Sequence, residues 1–286
     1  MKILKKIIFV GVILLCMTGC LKKDSYEDIK IYSTVYPIEY ITNKLYGSYA
    51  TIESIYPNGV DIDTYMITNK KLNDFSKGDL FVYNGLSNEK QVAAKLLNKN
   101  KNMDIIDVSQ GLEIKNDVTE LWLSPSNFLM MAQNIKNGLK DYVTNTSILE
   151  AIDTNYENLK VTISEYDAEL KLVAENAANK KIIVANNTFK FLEKYGFQVI
   201  SISEDDEDSN TNITKAKKAF SSKENTYLFE LSGTEESDVI KDLVKNGATK
   251  VDVDNMKTLS EDERKNKTDY ISLMGNFIEA IKTEVY

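Results

Sequence analysis

Chemistry in this chain is constrained first by what it lacks. Among 286 residues there is no histidine, so no imidazole is present to act as a general base or a metal ligand. The two cysteines, Cys16 and Cys20, both lie near the start. No glycine-rich loop ends in a phosphate-binding lysine, and no hydroxyl or thiol stands in a pattern that pairs it with a base. Paired carboxylates alone do not make a glycosidase. The sequence therefore reads as a binding protein and not an enzyme. Oxygen is left to do the chemistry: 43 Asp and Glu side chains, with amides and hydroxyls beside them.

The cysteines have another use. Lys2, Lys5 and Lys6 precede an apolar run from Ile7 to Cys16, which is too short for a permanent membrane span. Met17-Thr18-Gly19-Cys20 looks like a bacterial lipobox, with small residues before the cysteine. It implies cleavage after Gly19, acylation of Cys20, and an extracytoplasmic protein held at the cell membrane by its lipid. The mature chain would then have no disulfide and no thiolate metal site. Loss of residues 1–19 removes three lysines and no acid, taking the formal charge from −8 to −11. That excess argues against nucleic acid as a partner and is compatible with a cationic ligand.

The elements that must position these oxygens alternate along the chain. Ile29–Val35, Thr51–Tyr56, Asp79–Tyr83 and Met103–Val108 read as strands in the first half. Lys181–Ala185, Gln198–Ile202, Thr226–Glu230 and Thr249–Val253 read as strands in the second. Helical patterns lie between them: Pro37–Leu45, Thr68–Phe75, Glu89–Leu97, Asn127–Tyr142 and a last one over Asp269–Val285. This alternation predicts an α/β fold of two lobes, each with a mainly parallel sheet flanked by helices. Between the lobes, Leu149, Ile152, Tyr156, Leu159, Ile163, Tyr166, Leu170 and Val173 recur three and four residues apart, with no Gly or Pro from Ser147 to Asn179. The spacing predicts one long helix with one apolar stripe, roughly 48 Å of rigid spine; the stripe is short for a free coiled coil. The expected organisation is a signal peptide over 1–19, a tether over 20–28, an N-terminal lobe over 29–146, a linking helix over 147–179 and a C-terminal lobe over 180–286. Asn145-Thr146-Ser147 reads as the cap of the long helix.

Seven collinear segments carry a family resemblance. Asn58 to Tyr65, Asp79 to Gly85 (DLFVYNG), Glu120 to Pro125 (ELWLSP), Asn186 to Phe189 with Lys194-Tyr195-Gly196, Tyr227 to Glu230, Val253-Asp254, and Asp269 to Met274 follow one another through nearly the whole mature chain. In that order they resemble the solute-binding lipoproteins of zinc and manganese ABC importers. The resemblance implies two lobes joined by a helix and a divalent cation captured between them. It also implies a membrane permease, driven by an ATPase, as the partner of a monomeric receptor.

The resemblance places the family's three histidine ligands on Asp63, Glu120 and Asn186, and its acidic ligand on Asp254, with Asp252 as the alternative and Glu230 as a supporting acid. An all-oxygen set favours Mn²⁺, Ca²⁺ or Mg²⁺ over Zn²⁺. Carboxylates brought together without a cation repel one another and keep a proton. The alternative reading is a binding-protein fold that no longer takes metal and serves as a surface adhesin, a regulator or a receptor for another ligand. Glu204 to Asp208, an acidic run, lacks the glycine and distal glutamate of an EF-hand and reads as a solvated loop.

Overall fold

The computed structural model describes residues 29–114 and 118–286. The signal peptide, the lipobox with Cys20, and the tether fall outside the described residues. Two four-stranded sheets are present, and every strand pair in them is parallel. The first runs β2-β1-β3-β4, from β1 (Ile29–Ser33), β2 (Ala50–Ser54), β3 (Leu80–Tyr83) and β4 (Asp104–Asp107). The second runs β6-β5-β7-β8, from β5 (Lys181–Val184), β6 (Gln198–Ser201), β7 (Tyr227–Leu231) and β8 (Thr249–Val253).

Composition accounts for that order. The central strands are runs of Ile, Leu, Val and Phe buried on both faces, as Leu80-Phe81-Val82 and Ile182-Ile183-Val184 are. The edge strands alternate with polar residues, as Ala50-Thr51-Ile52-Glu53-Ser54 and Thr249-Lys250-Val251-Asp252-Val253 do. Because the strands are parallel, each sheet presents all its carboxyl ends on one side, where open α/β sheets bind ligands.

The helices are α1 (Tyr36–Tyr46), α2 (Asn69–Phe75), α3 (Glu89–Lys99), α4 (Pro125–Tyr142), α5 (Thr146–Asn176), α6 (Ser209–Ser221), α7 (Asp238–Lys245), α8 (Glu261–Lys265) and α9 (Tyr270–Val285). The long helix α5 is capped by Asn145, whose Oδ1 accepts from the N–H groups of Ser147 at 3.0 Å and Ile148 at 3.3 Å. It stops at Asn176 because Ala177 turns to extended backbone, and the next two N–H groups go to the Val285 carbonyl. Its buried stripe begins at Ile148 and not at Leu149, and Tyr166 is only half-buried, with its hydroxyl donating to the Ile271 carbonyl at 2.8 Å.

Helix α5 packs against α1 and α4 on one side, and against α9 and the 3₁₀ segment Asn187–Tyr195 on the other. One continuous apolar core runs from Ile31 and Leu80 through Trp122, Phe128, Ile152 and Ile163 to Val184, Phe229 and Ile278. A shared core and a stiff helix leave the lobes little freedom to hinge. Among the described residues, no helix is long and apolar enough to cross a membrane.

The segment after β8 closes the gap between the lobes. Tyr36 donates its N–H to the Lys257 carbonyl at 3.0 Å, and Gly59 donates to the Leu259 carbonyl at 2.9 Å. The chain's only arginine, Arg264, makes a two-pronged pair with Glu39. Trp122 donates its indole N–H to the Asn255 carbonyl at 2.9 Å, and Tyr270 donates its hydroxyl to the Trp122 carbonyl at 2.6 Å.

Candidate functional site

A cleft of about 580 Å³ opens between the lobes, and Asp63, Glu120, Asn186 and Asp254 all line it. Each follows the carboxyl end of a strand: Asp63 after β2, Glu120 after β4, Asn186 after β5 and Asp254 after β8. The parallel sheets therefore bring four distant positions to one face.

Within the cleft the four do not share a centre. Among the described residues, no three acidic groups lie together as a metal ion would need. Asp63 and Glu120 are joined by Lys257, whose ammonium is 2.7 Å from Asp63 Oδ2 and 3.0 Å from Glu120 Oε1. Glu120 Oε2 also accepts from the Thr188 hydroxyl of the other lobe at 3.3 Å. Burial alone would lower the Lys257 pKa, but the charge of Glu120 and the hydrogen bonds to both acids more than offset it, so the pKa is raised and the lysine is held as a cation.

Asp254 belongs to a separate arrangement. Its Oδ1 accepts from the Met256 N–H at 2.6 Å, and its carboxyl shares a hydrogen bond with Glu263. Burial pushes Asp254 up to about 6, and the neighbouring charge of Glu263 adds to that. Burial works against charge on Glu263 too. There, however, the Ser260 hydroxyl donates at 2.6 Å and the Ser260 N–H at 2.7 Å, so Glu263 is lowered. Of the two, Asp254 holds its proton to higher pH.

Asn186 has committed its carbonyl oxygen to the backbone, accepting from the Leu231 N–H at 2.9 Å. Glu230, expected as a supporting acid, does not line the cleft. It alternates with Phe229 along β7, so it shares the face of Leu228 and is buried with its carboxylate 3.2 Å from Lys250. Asp252 is exposed on β8 and also pairs with Lys250, at 3.1 Å. In the acidic run Glu204 to Asp208, Asp206 departs from a solvated loop: it turns inward to an ion pair with Lys190 at 2.7 Å.

Sequence reasoning missed Lys257, Glu263 and Thr188. A signal for the first existed: acids converging on a cleft demand a cation, and Lys257 stands three residues after Asp254.

The family model for the periplasmic component A of the zinc-uptake complex matches residues 31–284. The chain belongs to that family. Among its relatives, the high-affinity zinc uptake protein ZnuA of Bacillus subtilis is 23% identical over 90% of this chain and 87% of its own length. The manganese ABC transporter substrate-binding lipoprotein PsaA of Streptococcus pneumoniae is 27% identical, and the match spans 64% of each protein. Solved structures share the fold. The metal-dependent lipoprotein YcdH of B. subtilis superimposes with a TM-score of 0.74 at 19% identity, covering 90% of this chain and 99% of that one. The zinc-bound ZnuA-like domain of S. pneumoniae AdcA does so with a TM-score of 0.73 at 19% identity and the same coverage. The cleft of the present chain has no imidazole and carries a lysine ammonium between two of its acids.

Proposed function

We propose that the chain is the extracytoplasmic binding component of a metal-ion ABC importer, a carrier without turnover chemistry that is anchored through Cys20. It captures a hard divalent cation in the interlobe cleft and hands it to a membrane permease. The observation that carries this reading is the convergence of Asp63, Glu120, Asn186 and Asp254 on one cleft at the carboxyl ends of the strands. Asp63 and Glu120 supply the carboxylates, with Asp254 and Asn186 lining the same cleft and water completing the shell. Oxygen donors of this kind favour Mn²⁺, Ca²⁺ or Mg²⁺ over Zn²⁺. The relatives support the class of cargo: by name they serve zinc and manganese uptake.

One observation favours a second reading. Lys257 already supplies a cation to Asp63 and Glu120, as it would in a fold retired from metal transport and used as an adhesin, a regulator or a receptor for another ligand. Thermal melts and calorimetry with Mn²⁺, Ca²⁺, Mg²⁺ and Zn²⁺ separate the two. A specific ion stabilises by RT ln(1 + [L]/Kd), about 2.7 kcal/mol at a hundredfold excess over Kd. The receptor reading expects this with one hard cation, lost in Asp63→Ala and Glu120→Ala. No response to any cation at millimolar concentration rejects it, and a preferential response to Zn²⁺ overturns the ligand-type argument.

A further inference from the structure

We infer that Lys257 is a tethered competitor for the cation of the interlobe cleft, and that it is the residue setting how tightly a divalent ion is held there. The inference rests on the receptor reading of the cleft and adds to it a residue that no resemblance supplies.

Three observations carry it. The first is position: the ammonium lies within contact of both Asp63 and Glu120, and only 17% of the side chain is exposed. A divalent cation coordinated by those two carboxylates would occupy the same space, and at a few ångströms the two positive charges repel strongly. Metal binding therefore has to be an exchange in which the ammonium leaves.

The second observation is tethering. The Lys257 N–H donates to Asn255 Oδ1 at 2.8 Å, and its carbonyl accepts from the Tyr36 N–H at 3.0 Å. The next residue, Thr258, donates its hydroxyl to the Val60 carbonyl at 3.1 Å. With its backbone pinned on both sides, the ammonium is presented at high effective concentration and loses little freedom in binding.

The third is charge. Asp63 and Glu120 carry two negative charges, and Lys257 halves them. Removing its charge leaves a doubly negative pair on one edge of the cleft, the electrostatics a divalent ion prefers. A lysine that only braced the lobes would predict the opposite: its loss would loosen the site and weaken binding.

The test is titration calorimetry with MnCl₂ on the purified protein, its Lys257→Met variant and its Lys257→Gln variant. Gln keeps a donor to one acid, so it stands in if Met at this buried position prevents folding, which circular dichroism shows. The expected result is that both neutral variants bind Mn²⁺ at least about tenfold more tightly than the wild type, and that Lys257→Arg does not. Equal or weaker binding by the neutral variants, with the wild type still binding, overturns the inference and leaves the receptor reading intact. Binding by the variants with none by the wild type upholds the inference, and the melts with Ca²⁺ and Mg²⁺ then decide the receptor reading. No binding by any of them overturns the inference and leaves the receptor reading to the melts with the other cations.

Discussion

The guanidinium of Arg264 grips the carboxylate of Glu39 with two parallel hydrogen bonds, 2.9 Å from Nη1 to Oε1 and 2.8 Å from Nη2 to Oε2. It joins the segment between β8 and α9 to α1 of the other lobe. Arg264 also donates to Asn58, so the same side chain holds the loop that leads to Asp63. Charge-assisted, two-pronged pairs are the strong class of hydrogen bond, and lysine cannot reproduce their geometry. Arg264→Lys is expected to cost about 2 kcal/mol of stability. Denaturant unfolding followed by the emission of Trp122, the chain's single tryptophan, checks this. A midpoint equal to the wild type would mean that the pair is dispensable.

Eight strands and the long helix were legible because their signals are local. Ile182-Ile183-Val184 is a buried run bounded by polar residues, and the α5 stripe repeats at helical spacing. Even there the pattern slipped by one residue, choosing Leu149 where Ile148 is buried, since a single sequence does not reveal where neighbouring helices lie. The four cleft residues were legible only as aligned positions. What each oxygen does was not, because it depends on partners far away in sequence: Leu231 for Asn186, Glu263 for Asp254, Lys257 for Asp63. Glu230 was misplaced for a simpler reason. Strand alternation puts it on the Leu228 face, and the motif that suggested it carries no information about faces.

A glycine on α4 shows packing overriding propensity. Gly138 lies inside the helix, where alanine ordinarily gains about 1 kcal/mol. A Cβ there would come within 2.5 Å of Ile106 Cγ1 and 2.7 Å of its Cδ1. Ile106 is buried on β4 and has little room to yield. Gly138→Ala is therefore expected to destabilise by roughly 1–3 kcal/mol. The double variant with Ile106→Val should recover part of the loss, and thermal melts of the four proteins give the coupling. Additive single effects would refute the clash.

Anchoring is tested separately from the cleft. Metabolic labelling with a fatty-acid analogue should mark the wild type and not Cys20→Ala, and the variant should move from the membrane fraction to the medium. Equal labelling of the two would remove the anchor.

One buried acid takes no part in the cleft's ion pairs. Glu89 opens α3 and is almost fully buried, with Oε2 accepting from the Asn84 N–H at 2.8 Å. Burial raises its pKa from 4.5 to about 7, although the Asn84 N–H bond opposes the rise. The folded protein thus binds a proton that the unfolded chain has released between those values. Where the folded state binds more protons, stability falls as pH rises. Glu89 should be neutral in both states, and harmless, only below 4.5. Its burden should grow as pH climbs from 4.5 to about 7 and level off above, reaching roughly 3 kcal/mol for a shift of this size. Glu89→Gln keeps an acceptor for Asn84 and removes the titration. Denaturant midpoints of wild type and variant, measured at intervals from pH 5 to pH 8, should diverge with rising pH, the variant becoming relatively more stable. Other titrating groups are common to both proteins and cancel in the difference. Curves that stay parallel across the range would show that Glu89 is not held protonated by its surroundings.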